Sequence, residues 1–310
     1  MLIPIIMDAD PGVDDALALI LATRHPALDL LGVSVVCGNV GLQQAADNAL
    51  KVLKLVGRED VPVFSGAGAP LVRALELADE VHGEGGLGGA ELEEADAMPA
   101  GDSVRFLIES LRERPGQVTL VATGPLTNLA LAEKQAPGVL EMARRVLVMG
   151  GALEVPGNVT PTAEYNFYAD PHAAQQVLNS KANLTLVPLD VTSQVSLGPD
   201  DFAGSADGEV GRFCARAAAS IIDFERRTAG RELMHLHDPL ALALAADPDL
   251  CRVEARHIEV ETGGELTIGQ VVDDRRPLKA PAARAGRAVD CAVGVEAGRF
   301  LDMFRRLVLA

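Results

Sequence analysis

The 310-residue chain predicts an α/β fold, an open doubly wound and mostly parallel sheet flanked by helices. Three observations predict it. Short apolar runs alternate with longer helix-like segments, the rhythm of βα units. The runs at 31–36 and 118–122 carry little polarity on either face, as strands covered by helices on both sides do. Acidic, amide-bearing or Gly-rich turns follow strand after strand, and such sheets bind ligands beyond the carboxyl ends of their strands.

The elements follow in order. An apolar strand at 2–7 contains Pro4, a mild objection to a central position. It runs into four carboxylates within residues 8–15: Asp8, Asp10, Asp14 and Asp15. A helix at 14–24 comes next. The strand at 30–36 ends in Cys37-Gly38-Asn39, and a helix covers 42–56. Residues 80–96 are acidic and rich in glycine (Gly83, Gly85, Gly86, Gly88, Gly89), which predicts a mobile surface flap. A helix at 103–112, a strand at 118–122, the turn Thr123-Gly124-Pro125 and a helix at 126–135 form the next unit. Strands at 146–149 and 184–187 flank a polar loop at 158–166 and a helix at 171–179. Residues 197–237 read as a helical rim over the strand ends. His235, His237 and Asp238 stand before a helix that opens at Pro239. Runs at 258–261 and 266–272 flank Gly263-Gly264 as a hairpin, and 295–309 reads as a closing amphipathic helix. No repeat or Pro/Ser-rich linker divides the chain, so one domain over 1–310 is expected.

Composition narrows the function. Hydrophobic residues make up 48% but aromatics only 3%, with no Trp, so Leu, Val and Ala must fill the core. The net charge of −17 argues against nucleic acid or an anionic membrane as partner and suits a small neutral ligand with a bound cation. The four cysteines lack metal-ligand spacing. No apolar run is long enough to span a bilayer, and the N-terminus lacks a signal-peptide pattern, so a soluble cytoplasmic protein is expected.

The acidic turn carries the chemistry. Like charges this close repel unless a positive charge sits among them, and a hard cation with oxygen ligands is the simplest candidate. A helix dipole would account for Asp14 and Asp15 but not for Asp8 and Asp10 on the strand side. Other elements have plainer readings: Asn39 as a left-handed turn residue, Thr123 as a strand stop, Asp238-Pro239 as a helix cap, His235 as a surface residue. What favours a site is that all lie on the same edge. Gly83-Glu84-Gly85-Gly86-Leu87-Gly88 matches a dinucleotide spacing, but no strand precedes it and its acidic surroundings would repel a pyrophosphate. Asp8-x-Asp10 is also similar to aspartate-nucleophile phosphotransferases. Those need a hydroxyl or branched residue where Gly12 stands.

The run Asp8-Ala9-Asp10-Pro11-Gly12-Val13-Asp14-Asp15 resembles the N-terminal signature of the inosine–uridine-preferring nucleoside hydrolases. The resemblance continues through Gly38-Asn39-Val40, Val81-His82-Gly83, Thr123-Gly124-Pro125-Leu126-Thr127-Asn128 and Met149-Gly150-Gly151. It runs on through Gly157-Asn158-Val159, Ala163-Glu164-Tyr165-Asn166 and His237-Asp238-Pro239, over essentially the whole chain. It implies a Ca²⁺-dependent N-glycosidase acting on ribonucleosides in purine or pyrimidine salvage, with a calcium-bound water as nucleophile. By matching positions, Asp10, Asp15, the Thr123 carbonyl and Asp238 would hold Ca²⁺. Asp14, Asn39 and Asn166 would hold the 2′- and 3′-hydroxyls, Asn158 and Glu164 the 5′-hydroxyl, and Met149 would lie against the sugar. Asp10 would be the general base. His237 would protonate or polarise the leaving base, with His82 as the alternative donor. A homodimer or homotetramer is implied. Some family members carry Tyr residues in the stretch matching 221–237, and this chain has none there. An N-riboside with another leaving group and a non-catalytic, calcium-stabilised nucleoside-binding protein are the rival readings.

Overall fold

The computed structural model describes residues 2–204, 208–277 and 285–310. Its strands are β1 (Ile3–Ala9), β2 (Leu28–Val35), β3 (Val63–Ser65), β4 (Gly101–Asp102), β5 (Thr119–Ala122), β6 (Arg145–Met149), β7 (Leu184–Val187), β8 (Ser196–Leu197), β9 (Met234–His235), β10 (Cys251–Val260), β11 (Val271–Asp273) and β12 (Arg287–Val295). Its α-helices are α1 (Val13–Arg24), α2 (Leu42–Leu55), α3 (Asp79–His82), α4 (Ser103–Glu113), α5 (Thr127–Gln135), α6 (Tyr165–Ala169), α7 (Pro171–Asn179), α8 (Leu189–Thr192), α9 (Pro199–Ala203), α10 (Glu209–Ala229), α11 (His237–Ala246) and α12 (Ala297–Phe304).

Ten strands form one sheet in the order β11-β10-β12-β7-β6-β5-β1-β2-β3-β4. From β4 to β12 all neighbours are parallel, and only β10 is reversed, pairing antiparallel with β12 on one side and with the edge strand β11 on the other. The chain winds from β1 toward β4, then returns to the other side of β1 and winds outward from β5. The winding reverses between β1 and β5, and a doubly wound sheet opens its ligand crevice at that point. Register places Asp8 beside Ala122, so Asp10 and Thr123 leave the sheet side by side.

Alternation along β1 explains why both faces are dry. Ile5, Met7 and Ala9 join one apolar cluster with α1, α2, α10 and α11. Ile6 joins the other, with α4, α5 and α7. Helices α1 and α11 are apolar nearly all round and are buried between the sheet and the outer helices. Helix α2 instead buries one stripe, Ala45, Ala46, Ala49, Val52 and Leu53. Pro4 is tolerated in a central strand because β5 pairing begins only at Ile5, leaving no ladder partner on that side.

Several expectations are corrected. The hairpin pairs β10 with the short β11, Val260 opposite Val271. Residues 265–269 are turn, and Leu266 is exposed rather than in a strand. The closing helix starts at Ala297, because Val295 ends β12, and its last turn, Arg305–Leu309, widens to a π-helix. The Gly-rich segment is docked. Leu87 is buried, Asn48 donates to the carbonyls of Pro11 and Gly85, and a Cβ on Gly88 would lie 2.6 Å from the Ala217 carbonyl of α10. The expected helical rim is chiefly α10. No helix among the described residues is long and apolar enough to cross a membrane.

Candidate active site

The acidic turn wraps the start of α1. Gly12 is its N-cap, and the Asp15 carboxylate accepts from the Gly12 N–H at 3.1 Å, closing the first turn. Asp15 also accepts from the Thr123 hydroxyl at 2.7 Å and from Asn39 Nδ2 at 3.2 Å. Asp10 Oδ2 accepts from the Asn39 N–H at 2.7 Å, while Oδ1 is enclosed with no hydrogen-bond partner. Glycine at two neighbouring turns makes room for this carboxylate. A Cβ on Gly38 would lie 2.0 Å from Asp10 Oδ2, and one on Gly124 2.6 Å from Oδ1. Asp238, in the first turn of α11, completes the group. Oxygens of Asp14, Asp15 and Asp238 lie within 4.8 Å of one another.

No Lys or Arg among the described residues bonds to these four carboxylates. Burial pushes the Asp10 and Asp238 carboxyls well above the usual range, and neighbouring carboxylates add to it. Burial and Asp14 push Asp15 up to about 6, and burial raises Asp14. Asp8 serves another purpose. It accepts from Ser34 and, at 2.8 Å, from Asn128 Nδ2, which ties β1 to β2 and α5. Burial pushes its carboxyl up to about 7.

A cleft of about 850 Å³ opens above the cluster. Asp14, Asn39, Thr123, Met149, Asn166 and Asp238 form its floor. Asn166 Nδ2 donates to the Thr123 carbonyl at 2.7 Å and approaches the Met149 carbonyl at 3.3 Å. Asn39 is no left-handed turn residue, since among the described residues only glycines have positive φ. Its three hydrogen bonds to Asp10 and Asp15 hold it instead. Asn158 sits on the exposed rim and accepts from the Tyr165 N–H at 3.0 Å. Glu164 does not line the cleft. It caps α6, accepting from Asn166 N–H at 2.9 Å, Phe167 N–H at 3.2 Å and Gly151 N–H at 2.8 Å. Burial pushes its carboxyl up to about 7.

His82 and His237, the two histidines the resemblance would give the leaving base, both line the cleft. His82 Nδ1 accepts from the Val13 N–H at 3.1 Å, so its proton is on Nε2, and burial pushes its pKa down to about 4. His237 Nδ1 lies 2.7 Å from the Thr192 hydroxyl. Burial, then the charges of His235 and His82, push it down to about 3. The outer wall comes from the stretch 221–237, where the expected Tyr residues are missing and sequence reasoning gives no residue other than His237 a role. Ile221, Phe224, Glu225 and Thr228 line it, joined by Arg231 and His235. Their i, i+3, i+4, i+7 spacing on α10 was a usable signal for one face of a helix. A separate cavity of about 710 Å³, around His25, Asp247 and Arg299 at the far ends of α1 and α11, contains none of these groups.

The comparisons with known proteins show the family and the fold. The model of the family described as inosine-uridine preferring nucleoside hydrolase matches residues 5–302. The chain is 37% identical to uridine nucleosidase 1 of Arabidopsis thaliana, over 87% of this chain and 82% of that protein. It is 38% identical to the pyrimidine-specific ribonucleoside hydrolase RihA of Shewanella sp. strain ANA-3, over 97% and 94%. Among solved structures, a plant nucleoside hydrolase superposes with a TM-score of 0.94 at 32% identity, covering 99% of both chains. A purine-preferring ribonucleoside hydrolase from Gardnerella vaginalis gives 0.92 at 32% identity, covering 98% of both. With its fold, its acidic turn and its whole length matched, the chain belongs to the inosine-uridine preferring nucleoside hydrolase family and is a hydrolase of N-glycosidic bonds.

Proposed function

We propose that the protein hydrolyses ribonucleosides to free base and ribose at the Asp10–Asp14–Asp15–Asp238 cluster, with Ca²⁺ as its metal and a calcium-bound water as nucleophile. One observation carries the reading: buried carboxylates without a counter-charge, one with an orphaned oxygen, at the floor of a cleft of nucleoside size. An all-oxygen donor set suits a hard cation, and Ca²⁺ accepts more such ligands than Mg²⁺. Asp10, Asp15, Asp238 and the Thr123 carbonyl would hold it. When bound, such an ion neutralises the cluster and lowers the pKa of water it holds.

The residues then divide the work. Asp14, Asn39 and Asn166 bind the 2′- and 3′-hydroxyls, and Met149 packs against the sugar. Asn158, on the rim, reaches the 5′-hydroxyl. Glu164 supports that end through the backbone of Gly151 and Asn166. As the C1′–N bond lengthens, positive charge grows on the sugar, and the buried carboxylates favour it. Asp10 Oδ1 takes a proton from the attacking water. His237 turns Nε2 to the base, since Thr192 occupies Nδ1. His82, held at Nδ1 by α1, closes the same side. Free base and ribose suit salvage, and a homodimer or homotetramer in the cytoplasm belongs to the same reading. A reducing-sugar assay over a panel of nucleosides, with and without chelator, tests it. Release of ribose that chelation abolishes and Ca²⁺ restores is expected, and no release from any nucleoside would refute it.

A further inference from the structure

Three histidines line the cleft, and their ring nitrogens are not equally free. His82 and His237 each commit Nδ1, to the Val13 N–H and the Thr192 hydroxyl. His235, on β9, lies beside His237 with ring centroids 5.4 Å apart. Its Nδ1 is enclosed and makes no hydrogen bond of ordinary geometry, although the Val195 backbone favours its proton. His235 itself lines the cleft, and with Nδ1 enclosed its Nε2 is the nitrogen we assign to the ligand side. Glu225, which is 17% exposed, stands on the same wall. Arg231 places both its donors on one Glu225 oxygen, Oε2, at 3.0 and 2.7 Å. Among the described residues nothing donates to Oε1.

We propose that His235 is a further catalytic residue, carrying the proton that the departing base takes, with Glu225 holding that proton on the ring. The inference rests on the N-riboside hydrolysis proposed above. The C1′–N bond breaks and its electron pair stays on the base. The proton on His235 Nε2 passes to the base, the water's hydroxide bonds to C1′, and the water's remaining proton goes to Asp10. Solvent then exchanges the proton from Asp10 and reloads His235, which is only half-buried. The surroundings favour His235 over its neighbours. Burial lowers its pKa, Glu225 opposes this, and Arg231 adds to the lowering. His237 has no carboxylate acting on it, only burial and two histidines. His82 has only Asp15, whose charge a bound cation would offset. The charged and titratable groups around His235 are thus Glu225, Arg231 and His237.

The test compares His235→Gln and Glu225→Gln with the unaltered holoenzyme on uridine, inosine and p-nitrophenyl riboside, whose leaving group needs no proton. His235→Gln should lose about 10²-fold or more in kcat on the nucleosides, the range of general acid catalysis, and far less on p-nitrophenyl riboside. The fall of kcat toward high pH on nucleosides should vanish with it, and in Glu225→Gln it should move to lower pH. An equal loss on all substrates, or kcat within threefold of wild type on nucleosides, would overturn the inference. Should His235→Gln fail to fold, an unmoved pH limb in Glu225→Gln would overturn it instead. A wild-type enzyme inactive on all three substrates would refute the underlying function rather than this residue's role.

Discussion

Stripping divalent cations should make the protein lose stability, relative to its calcium form, as pH rises through the weakly acid range. The perturbation acts on Asp10, Asp14, Asp15 and Asp238, whose carboxyls burial raises, with repulsion from neighbouring carboxylates adding to it at Asp10, Asp15 and Asp238. A carboxyl with a raised folded pKa binds more protons folded than unfolded. Its contribution to stability is whole below the unfolded value and is lost as pH rises to the folded one. For Asp15 the window runs from 3.8 to about 6. That rise corresponds to about 3 kcal/mol at neutral pH. At about 2–4 °C per kcal/mol in chains of 150–250 residues, this one group lowers the melting temperature by at least about 5 °C. Excess Ca²⁺ should remove the cluster's share of the slope, since the ion replaces those protons, while Asp8, Glu164, His82 and His237 titrate in both forms, and it should add about 4 kcal/mol at a thousandfold excess over Kd. Melting followed by circular dichroism from about pH 4.5 to 8, in chelator and in calcium, measures both. A gap between the calcium and chelated melting temperatures that fails to widen as pH rises over that range, or that is absent at neutral pH, would refute a cation-dependent carboxylate cluster.

Other perturbations separate the roles. His237→Ala, which removes a ring that polarises the base without supplying its proton, should cost less in kcat on nucleosides than His235→Gln and should leave the high-pH limb in place, whereas Asp10→Asn should harm nucleosides and p-nitrophenyl riboside alike; steady-state kinetics on the two substrate types decide it. Removing the 2′-hydroxyl should cost roughly 10⁴-fold in kcat/KM, because Asn39, Asn166 and Asp14 would be left unpaired; equal rates on 2′-deoxyuridine and uridine would refute the clamp. Gly38→Ala should displace Asp10, since the new Cβ would lie 2.0 Å from Oδ2, so calcium affinity measured by calorimetry should drop with activity. Gly41→Ala, with open space around its Cβ, is the control and should change neither.

Much of the site was legible in the sequence because it is local. The four carboxylates after an apolar strand, the turn after 118–122 and the His237-Asp238-Pro239 helix start are each a strand end or helix start within a few residues. Once the fold is doubly wound, those ends must share one edge. The clearly α/β half was legible for the same reason, since strands buried on both faces read as unbroken apolar runs. The β10–β12 edge was not. Its strands alternate exposed and buried residues and sit more than 60 residues beyond the parallel core they extend.

By itself, the sequence determined the alternation of strands and helices, the acidic turn and the residue types available to bind a cation and a sugar. Only the tertiary structure decided which of those residues face the cleft. Asp8 and Asp10 are two apart on one run, yet Asp8 braces Ser34 and Asn128 while Asp10 accepts from Asn39 and keeps one oxygen without a partner. Glu164 reads as a ligand but spends its oxygens on three backbone N–H groups, those of Asn166 and Phe167 in its own turn and of Gly151 after β6. His235 reads as a surface residue but stands beside His237, Glu225 and Arg231, because α10 folds back across the strand ends. The physical reason is common to all three. A side chain's direction and its free hydrogen-bonding capacity depend on register and on contacts with segments far away in the chain, and no local pattern records those contacts.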